Sequence, residues 1–166
     1  MNNVVLFVQY ALILGIGATI FMDLYAIIIK KLFNIPSLNY AFVGRWIGSF
    51  TKGVFSHLNI VQATPVKNEK ALGWLAHYCI GITFGFVLLL VCGLEWVSTP
   101  TFWPAFIIGV GTTVFPFFMM QPAFGFGVAA SKLPNPNTAR FRSILAHAIF
   151  GIGLYVTGLI LSLIIG

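Results

Sequence analysis

Four polar residues near the ends of apolar stretches have side chains that could bind a proton or a small solute. They are Asp23, His77, Gln121 and His147. Histidine titrates near neutral pH, and Asp and His side chains recur in proton relays inside membranes. These four residues are therefore the candidate ligand- or proton-binding residues of the chain.

The same side chains allow other interpretations, and none of them has a diagnostic spacing. His77 and His147 could be the axial ligands of a haem b in an electron-transfer or binding protein. With Asp23 they could instead hold zinc or iron as a His/His/Asp metal site. Histidines in membrane helices also often serve only as hydrogen-bonded contacts between helices, which would make the role purely structural.

Enzymatic chemistry has little support in the sequence. The chain has three acidic residues in total, and it contains neither paired carboxylates nor an H-E-x-x-H motif. We therefore assign no catalytic residue and favour a protein that is not an enzyme over an integral-membrane enzyme.

The composition indicates an integral membrane protein. Of the 166 residues, 59% are hydrophobic and 7% are charged, and the mean hydropathy is +0.99. A water-soluble domain would not tolerate such a composition on its surface. Four apolar stretches, at 4–29, 71–94, 102–121 and 143–165, reach the roughly 20 residues that a helix needs to cross the hydrocarbon core. The sequence thus predicts an all-α, four-helix transmembrane bundle in which residues 1–166 form a single domain.

An internal repeat divides the chain into two halves. The string GIGATIFMD at 15–23 is matched by GVGTTVFPF at 109–117, and the string LAH at 75–77 recurs at 145–147. This pattern predicts two parallel two-helix repeats, at 4–94 and 102–165, that place His77 and His147 at matching positions. His77 follows Gly15 by 62 positions and His147 follows Gly109 by 38, so the first repeat carries a 24-residue loop insertion.

The cations lie between the first and second stretches and between the third and fourth. All nine belong to these two segments: Lys30, Lys31, Arg45, Lys52, Lys67, Lys70, Lys132, Arg140 and Arg142. The positive-inside rule then puts both segments in the cytoplasm and both termini on the periplasmic or extracellular side. Because the cations lie close to membrane ends rather than in a basic domain, nucleic acid is not an expected partner.

The long loop contains a predicted amphipathic helix. Apolar residues recur every four positions, at Leu38, Phe42, Trp46 and Phe50. The helix could lie in the cytoplasmic membrane interface or cap the bundle by packing on other helices. Arg45, and Arg140 and Arg142 in the shorter loop, are candidate contacts for a lipid or another anion, although simple interfacial anchoring would need the same residues.

Prolines shape the second half of the chain. Pro116 and Pro122 predict a kinked or broken third helix, and the segment 116–127 then either lines a cavity or packs under the loops. Pro134 and Pro136 predict that the last helix begins after them, with Thr138 as its N-cap.

The alternating direction of four spanning helices brings the four polar residues to one side of the membrane. Each helix contributes one of them, and each lies toward the cytoplasmic end of its helix. We therefore expect them to converge in the cytoplasmic third of the bundle. Four helices are few for a solute pathway in one protomer, so a homo-oligomer is expected if transport occurs, with membrane lipids as the other partner.

Several strings in combination resemble a known bacterial membrane family. They are GIGATIFMD at 15–23, IPSLNY at 35–40, VGRW at 43–46, ALGWLAHY at 71–78, FFMMQP at 117–122 and PNP at 134–136. Together they cover nearly the whole chain and are similar to the proteins known as domain of unknown function 2938. The resemblance implies a four-helix protein of the bacterial inner membrane and supplies no reaction.

Overall fold

A computed structural model describes residues 2–166, and every regular element in that range is a helix. The α-helices are α1 (Asn3–Phe33), α2 (Tyr40–Ser49), α3 (Glu69–Cys92), α4 (Glu95–Ser98), α5 (Phe102–Gly111), α6 (Gln121–Ala123) and α7 (Pro136–Ile165). Two 3-10 helices, Phe50–Lys52 and Val128–Ala130, and a π-helical turn, Pro116–Met120, occur between them. The predicted all-α class is confirmed for the described residues.

Four helical segments within residues 2–166 are long and apolar enough to cross a membrane. They are Asn3–Phe33, Glu69–Cys92, Phe102–Ala123 and Pro136–Ile165. Each of them overlaps one of the four apolar stretches that the composition predicts to span the bilayer. The third contains the π-helical turn at Pro116–Met120, in the region where the prolines predict a kinked or broken helix.

The helix ends follow local chemistry. The side chain of Asn2 accepts a hydrogen bond from the backbone of Val4 and caps α1, and Asn34 ends that helix in the left-handed conformation with φ 54°. The expected N-cap at Thr138 is wrong, because α7 begins at Pro136 and Thr138 lies in its first turn. Proline suits the first position of a helix, where the N–H that it lacks would have no partner.

The chain forms two compact units that do not follow the two sequence repeats. The first comprises Met1–Ser37, Tyr78–Thr112 and Leu145–Gly166, and the second comprises Leu38–His77 and Thr113–Ile144. Each unit takes residues from both repeats. The assignment of 1–166 to a single domain stays a prediction.

The first unit has one apolar core to which α1, α3, α4, α5 and α7 all contribute. Its fully buried members include Leu14 of α1, Leu88 of α3, Val97 of α4, Ala105 of α5 and Leu154 of α7. Burial of such side chains against one another holds the helices of this unit together.

Glycine pairs bring the helices of the first unit into backbone contact. A Cβ on Gly15 would lie 2.6 Å from the carbonyl oxygen of Gly81, and a Cβ on Gly109 would lie 2.6 Å from the backbone nitrogen of Gly151. Small residues permit this close approach between membrane helices. The two contacts join residues at corresponding positions of the two repeats, and the duplication itself stays a prediction.

The second unit is built on α2 and the start of α3. A Cβ on Gly44 would meet the carbonyl oxygen of Glu69, and one on Gly73 would meet that of Tyr40, so the two helix backbones touch. Phe42 and Trp46 of the predicted amphipathic stripe pack against a second core of Val43, Ile60 and Phe124. This favours packing of α2 on its neighbours; its placement in the membrane interface stays a prediction.

The segment after the π-helical turn packs under the loop that follows α2. The backbone N–H of His57 donates to the carbonyl of Ala123 at 2.8 Å, and that of Ile60 donates to the carbonyl of Phe124 at 3.0 Å. Phe124 is completely buried, and a Cβ on Gly125 would lie 2.7 Å from the carbonyl oxygen of His57. Of the two expected roles for 116–127, these contacts favour packing under a loop.

Candidate functional site

Asp23 lies on α1, half-buried in the first unit, and is held by a phenol from α3. The hydroxyl of Tyr78 donates to its Oδ2 at 3.1 Å. The carboxylate of a membrane-spanning helix thus has a hydrogen-bond donor from another helix, as a charged group in this environment requires.

His147 lies on α7, also in the first unit, and is hydrogen-bonded to Thr112, the residue directly after α5. Its Nδ1 lies 2.7 Å from the hydroxyl oxygen of Thr112. Thr112 is buried, with 6% of its surface exposed, and its hydroxyl donates to the carbonyl of Gly109 at 2.6 Å. The hydroxyl of Thr112 therefore positions the imidazole, and the carbonyl of Gly109 positions that hydroxyl.

His77 lies on α3 in the second unit, between two aromatic rings. Its Nε2 is 3.0 Å from the hydroxyl of Tyr40, and the two rings stack with centroids 4.2 Å apart. The ring of Trp74, one turn earlier on α3, makes a T-shaped contact with the same imidazole, with centroids 5.8 Å apart. The two repeat-related histidines are thus held through different ring nitrogens, Nε2 in His77 and Nδ1 in His147.

Gln121 follows the π-helical turn and is buried in the second unit, with 7% of its surface exposed. Its amide nitrogen donates to the hydroxyl of Ser143 at 3.3 Å, whereas its Oε1 has no hydrogen-bond partner in the described part of the chain. The backbone N–H of Gln121 donates to the carbonyl of Pro116, five residues back, which is the hydrogen bond of a π-helical turn.

A common feature links these four residues. Each hydrogen-bonds to a side-chain hydroxyl from a distant part of the chain, in the pairs Asp23–Tyr78, His77–Tyr40, Gln121–Ser143 and His147–Thr112. Two of the pairs lie in the first unit and two in the second. The convergence of all four residues on one site stays a prediction.

The hydroxyl partners are the residues that sequence reasoning missed. Tyr78 directly follows His77, and Thr112 lies inside the repeated glycine motif, so both were next to residues already selected. Ser and Thr in membrane helices commonly bond to their own backbone, which gave no reason to single out Thr112 or Ser143. Tyr40 is separated from His77 by 37 positions, and no short-range pattern connects them.

Arg45 does not lie open at the surface, as an anion contact would require. Its side chain is 8% exposed, and its Nε and Nη2 donate to the two carboxylate oxygens of Glu69 at 2.8 and 2.9 Å. The third nitrogen, Nη1, donates to the carbonyls of Ile60 and Ala63 at 2.9 and 2.8 Å. The hydrogen bonds to Glu69, opposed by burial, raise the pKa of the Arg45 guanidinium above its ordinary value. Arg45 thus ties the loop after α2 to the first turn of α3.

The other two candidate anion contacts differ from each other. Arg140 donates through Nε to the carbonyl of Ala129 at 2.8 Å and through Nη1 to the side chain of Asn137 at 3.0 Å. It therefore supports a turn in which Ala129 adopts a positive φ of 47°, which is unfavourable for alanine. Arg142 is exposed, so it has the accessibility that contact with a lipid headgroup requires.

The haem and metal alternatives gain little from this geometry. Among residues 2–166, no group of three or more His, Cys, Asp or Glu side chains is arranged to hold a metal ion, which leaves the His/His/Asp alternative without a ligand cluster. An iron bound at Nε2 of His77 would have to displace the hydroxyl of Tyr40.

Comparison with known proteins matches the chain to a protein family. The model of the family described as Protein of unknown function (DUF2938) matches residues 12–161. No curated protein and no solved structure matches the chain.

Proposed function

The chain belongs to the family described as Protein of unknown function (DUF2938), and we propose that it is an integral membrane protein that binds and passes protons through polar side chains of its spanning helices. Asp23 and His147 in the first unit are the proposed proton-binding groups. In the second unit, His77 is proposed to bind a proton as well. Gln121 is proposed to orient a hydrogen-bonded group.

One observation carries this proposal: the titratable side chains Asp23, His77 and His147 are each bonded to a hydroxyl group of another helix or of its end. A hydroxyl both donates and accepts, so it can stay hydrogen-bonded to a titratable group in both protonation states of that group. Purely structural contacts do not need a donor-acceptor group at all three titratable positions. Carboxylates and imidazoles inside a membrane also cost free energy, so they are rare there and usually mark a functional site.

Asp23 has the contact that such a role requires. While it is ionised, its Oδ2 accepts a hydrogen bond from Tyr78. When it takes up a proton, the new carboxyl O–H can donate and the phenol oxygen can accept, so the pair remains hydrogen-bonded in both states. A neutral amide in its place could not exchange a proton in this way.

The proposed orientation and assembly follow from the charge pattern and the number of spans. We place the protein in the inner membrane of a bacterium, with the loops at 34–68 and 124–135 in the cytoplasm and both termini outside, because the cations concentrate around these two loops. Four spans per chain suggest that a proton or small-solute pathway would be completed in a homo-oligomer.

Proton flux into liposomes tests the proposed function. Purified protein is reconstituted into vesicles that contain a pH-sensitive dye, and a potassium diffusion potential is imposed. We expect the internal pH to change faster than in protein-free vesicles, and we expect Asp23→Asn to reduce the rate to that of protein-free vesicles. Glu95→Gln is the matched control, because Glu95 is an exposed carboxylate of α4 and should keep the wild-type rate.

Two outcomes would contradict the proposal. Wild-type vesicles that pass no more protons than empty ones would remove it, and so would an Asp23→Asn variant with full flux. A reduced-minus-oxidised absorption spectrum of protein purified from haem-replete cells tests the haem alternative, which would produce Soret and α bands.

A further inference from the structure

The hydroxyl group of Thr112 has two close neighbours and one hydrogen to give. The carbonyl oxygen of Gly109 lies 2.6 Å away, and Nδ1 of His147 lies 2.7 Å away. A carbonyl oxygen can only accept, so the contact with Gly109 uses the hydrogen of the hydroxyl. The hydroxyl must then act as acceptor toward His147.

We propose that Thr112 fixes His147 as the tautomer that carries its hydrogen on Nδ1, which makes Nε2 the atom at which this imidazole gains and loses a proton. At 2.7 Å from a hydroxyl oxygen, Nδ1 without a hydrogen would set two lone pairs against each other. Nδ1 therefore donates to Thr112, and the lone pair of the neutral ring lies on Nε2. Thr112 is a positioning residue for the imidazole. The tautomer stands independently of the proposed function, whereas its role in proton transfer rests on that function.

The surrounding backbone keeps this arrangement in place. α5 ends at Gly111, so the carbonyl of Gly109 belongs to the last turn, where carbonyls need partners from outside the helix. A Cβ on Gly109 would lie 2.8 Å from the carbonyl oxygen of His147, which shows how closely α5 and α7 approach at this level. Buried Thr112 thus cannot exchange the Gly109 carbonyl for solvent as its acceptor.

His77, the corresponding histidine of the first repeat, contacts a hydroxyl group that does not fix its tautomer. The phenol of Tyr40 lies 3.0 Å from Nε2 of His77 and can donate to that nitrogen or accept from it. This contact alone does not select a tautomer. The inference therefore applies to His147 specifically and not to both repeats.

Nitrogen NMR of protein labelled with ¹⁵N-histidine tests the assignment directly, because protonated and unprotonated ring nitrogens have well-separated shifts. The chain has three histidines, and the His147 signals are those that disappear in His147→Gln. At a pH where the ring is neutral, we expect Nδ1 of His147 to be protonated and Nε2 to be unprotonated. The opposite pattern in the wild type would overturn the inference.

A pair of variants at one position separates the hydroxyl from the packing. Thr112→Val keeps the shape of the side chain and removes the hydroxyl, so we expect the single-tautomer pattern of His147 to be lost. Thr112→Ser keeps the hydroxyl and should preserve the pattern. An unchanged pattern in Thr112→Val would show that something other than Thr112 sets the tautomer.

Proton flux, measured on the same variants, separates this inference from the proposed function. Thr112→Val should slow the flux relative to Thr112→Ser if His147 takes part in proton transfer. A wild-type protein without flux would remove the proposed function, while the NMR pattern alone would decide the tautomer.

Discussion

Arg45 and Glu69 form a two-pronged ion pair across 24 positions of sequence, with Nε of the arginine 2.8 Å from Oε2 of the carboxylate. The same guanidinium donates to the loop carbonyls of Ile60 and Ala63. One side chain therefore joins α2, the loop after it and the start of α3. Its loss therefore affects all three of these segments.

Replacement of Arg45 by Met should destabilise the protein by about 3 kcal/mol, because the carboxylate of Glu69 loses its partner and two carbonyls lose a donor. Arg45→Lys should have an intermediate effect, since an ammonium group cannot bond both carboxylate oxygens in a planar fork. Unfolding of the purified protein in detergent measures the differences. Lys52→Met is the control, as it removes an exposed cation nearby. Equal stability of Arg45→Met and Lys52→Met would contradict the role of the ion pair.

Two glycines of one motif should respond differently to the same substitution. Gly109→Ala puts a methyl group against the backbone of Gly151 and should destabilise the protein by about 1–3 kcal/mol. It should also lengthen the contact between Thr112 and His147. Gly111 is exposed and has open space where a Cβ would lie, so Gly111→Ala should remain within about 0.5 kcal/mol of the wild type.

Unfolding of the purified variants in detergent measures the stability of Gly109→Ala and of Gly111→Ala. The NMR pattern of His147 reports any change in its contact with Thr112. If Gly109→Ala and Gly111→Ala were equally stable, the close approach of α5 and α7 at Gly109 would not contribute to the fold.

The proposed orientation predicts which loops an impermeant thiol reagent reaches. In a background that lacks Cys79 and Cys92, Ser56→Cys and Ser131→Cys should react only after the cells are opened, because the positive-inside rule puts both loops in the cytoplasm. Thr99→Cys should react in intact cells. All three positions are exposed, so accessibility depends on the side of the membrane. The reverse labelling pattern would show that the protein has the opposite orientation in the membrane.

Sequence reasoning predicted the helices better than their contacts. The apolar stretches located all four candidate spans because length and hydropathy are local properties of the chain. The repeated glycines make close helix contacts, Gly15–Gly81 and Gly109–Gly151, but the partners in each pair are distant in sequence. The division into two units had no local signal, since each unit combines distant segments.

The charged and hydroxyl side chains show why the rest was harder to predict. Arg45 was expected at the lipid surface because cations near membrane ends usually serve there, but its actual partner lies 24 positions away, in the first turn of α3. Tyr78 and Thr112 were passed over because a lone hydroxyl has no characteristic spacing. Their importance depends on which residue faces them, and only the tertiary structure determines that.

The π-helical turn at Pro116–Met120 changes the phase of the helix that contains it. Its hydrogen bond spans five residues where that of an α-helix spans four, so the face on which Gln121 lies is offset from the one that the apolar pattern of α5 would assign to it. A single-residue deletion within Phe117–Met120 would return the helix to regular phase and turn Gln121 toward a different neighbour. The local length of the chain is therefore as much a determinant of that residue's surroundings as its chemical type.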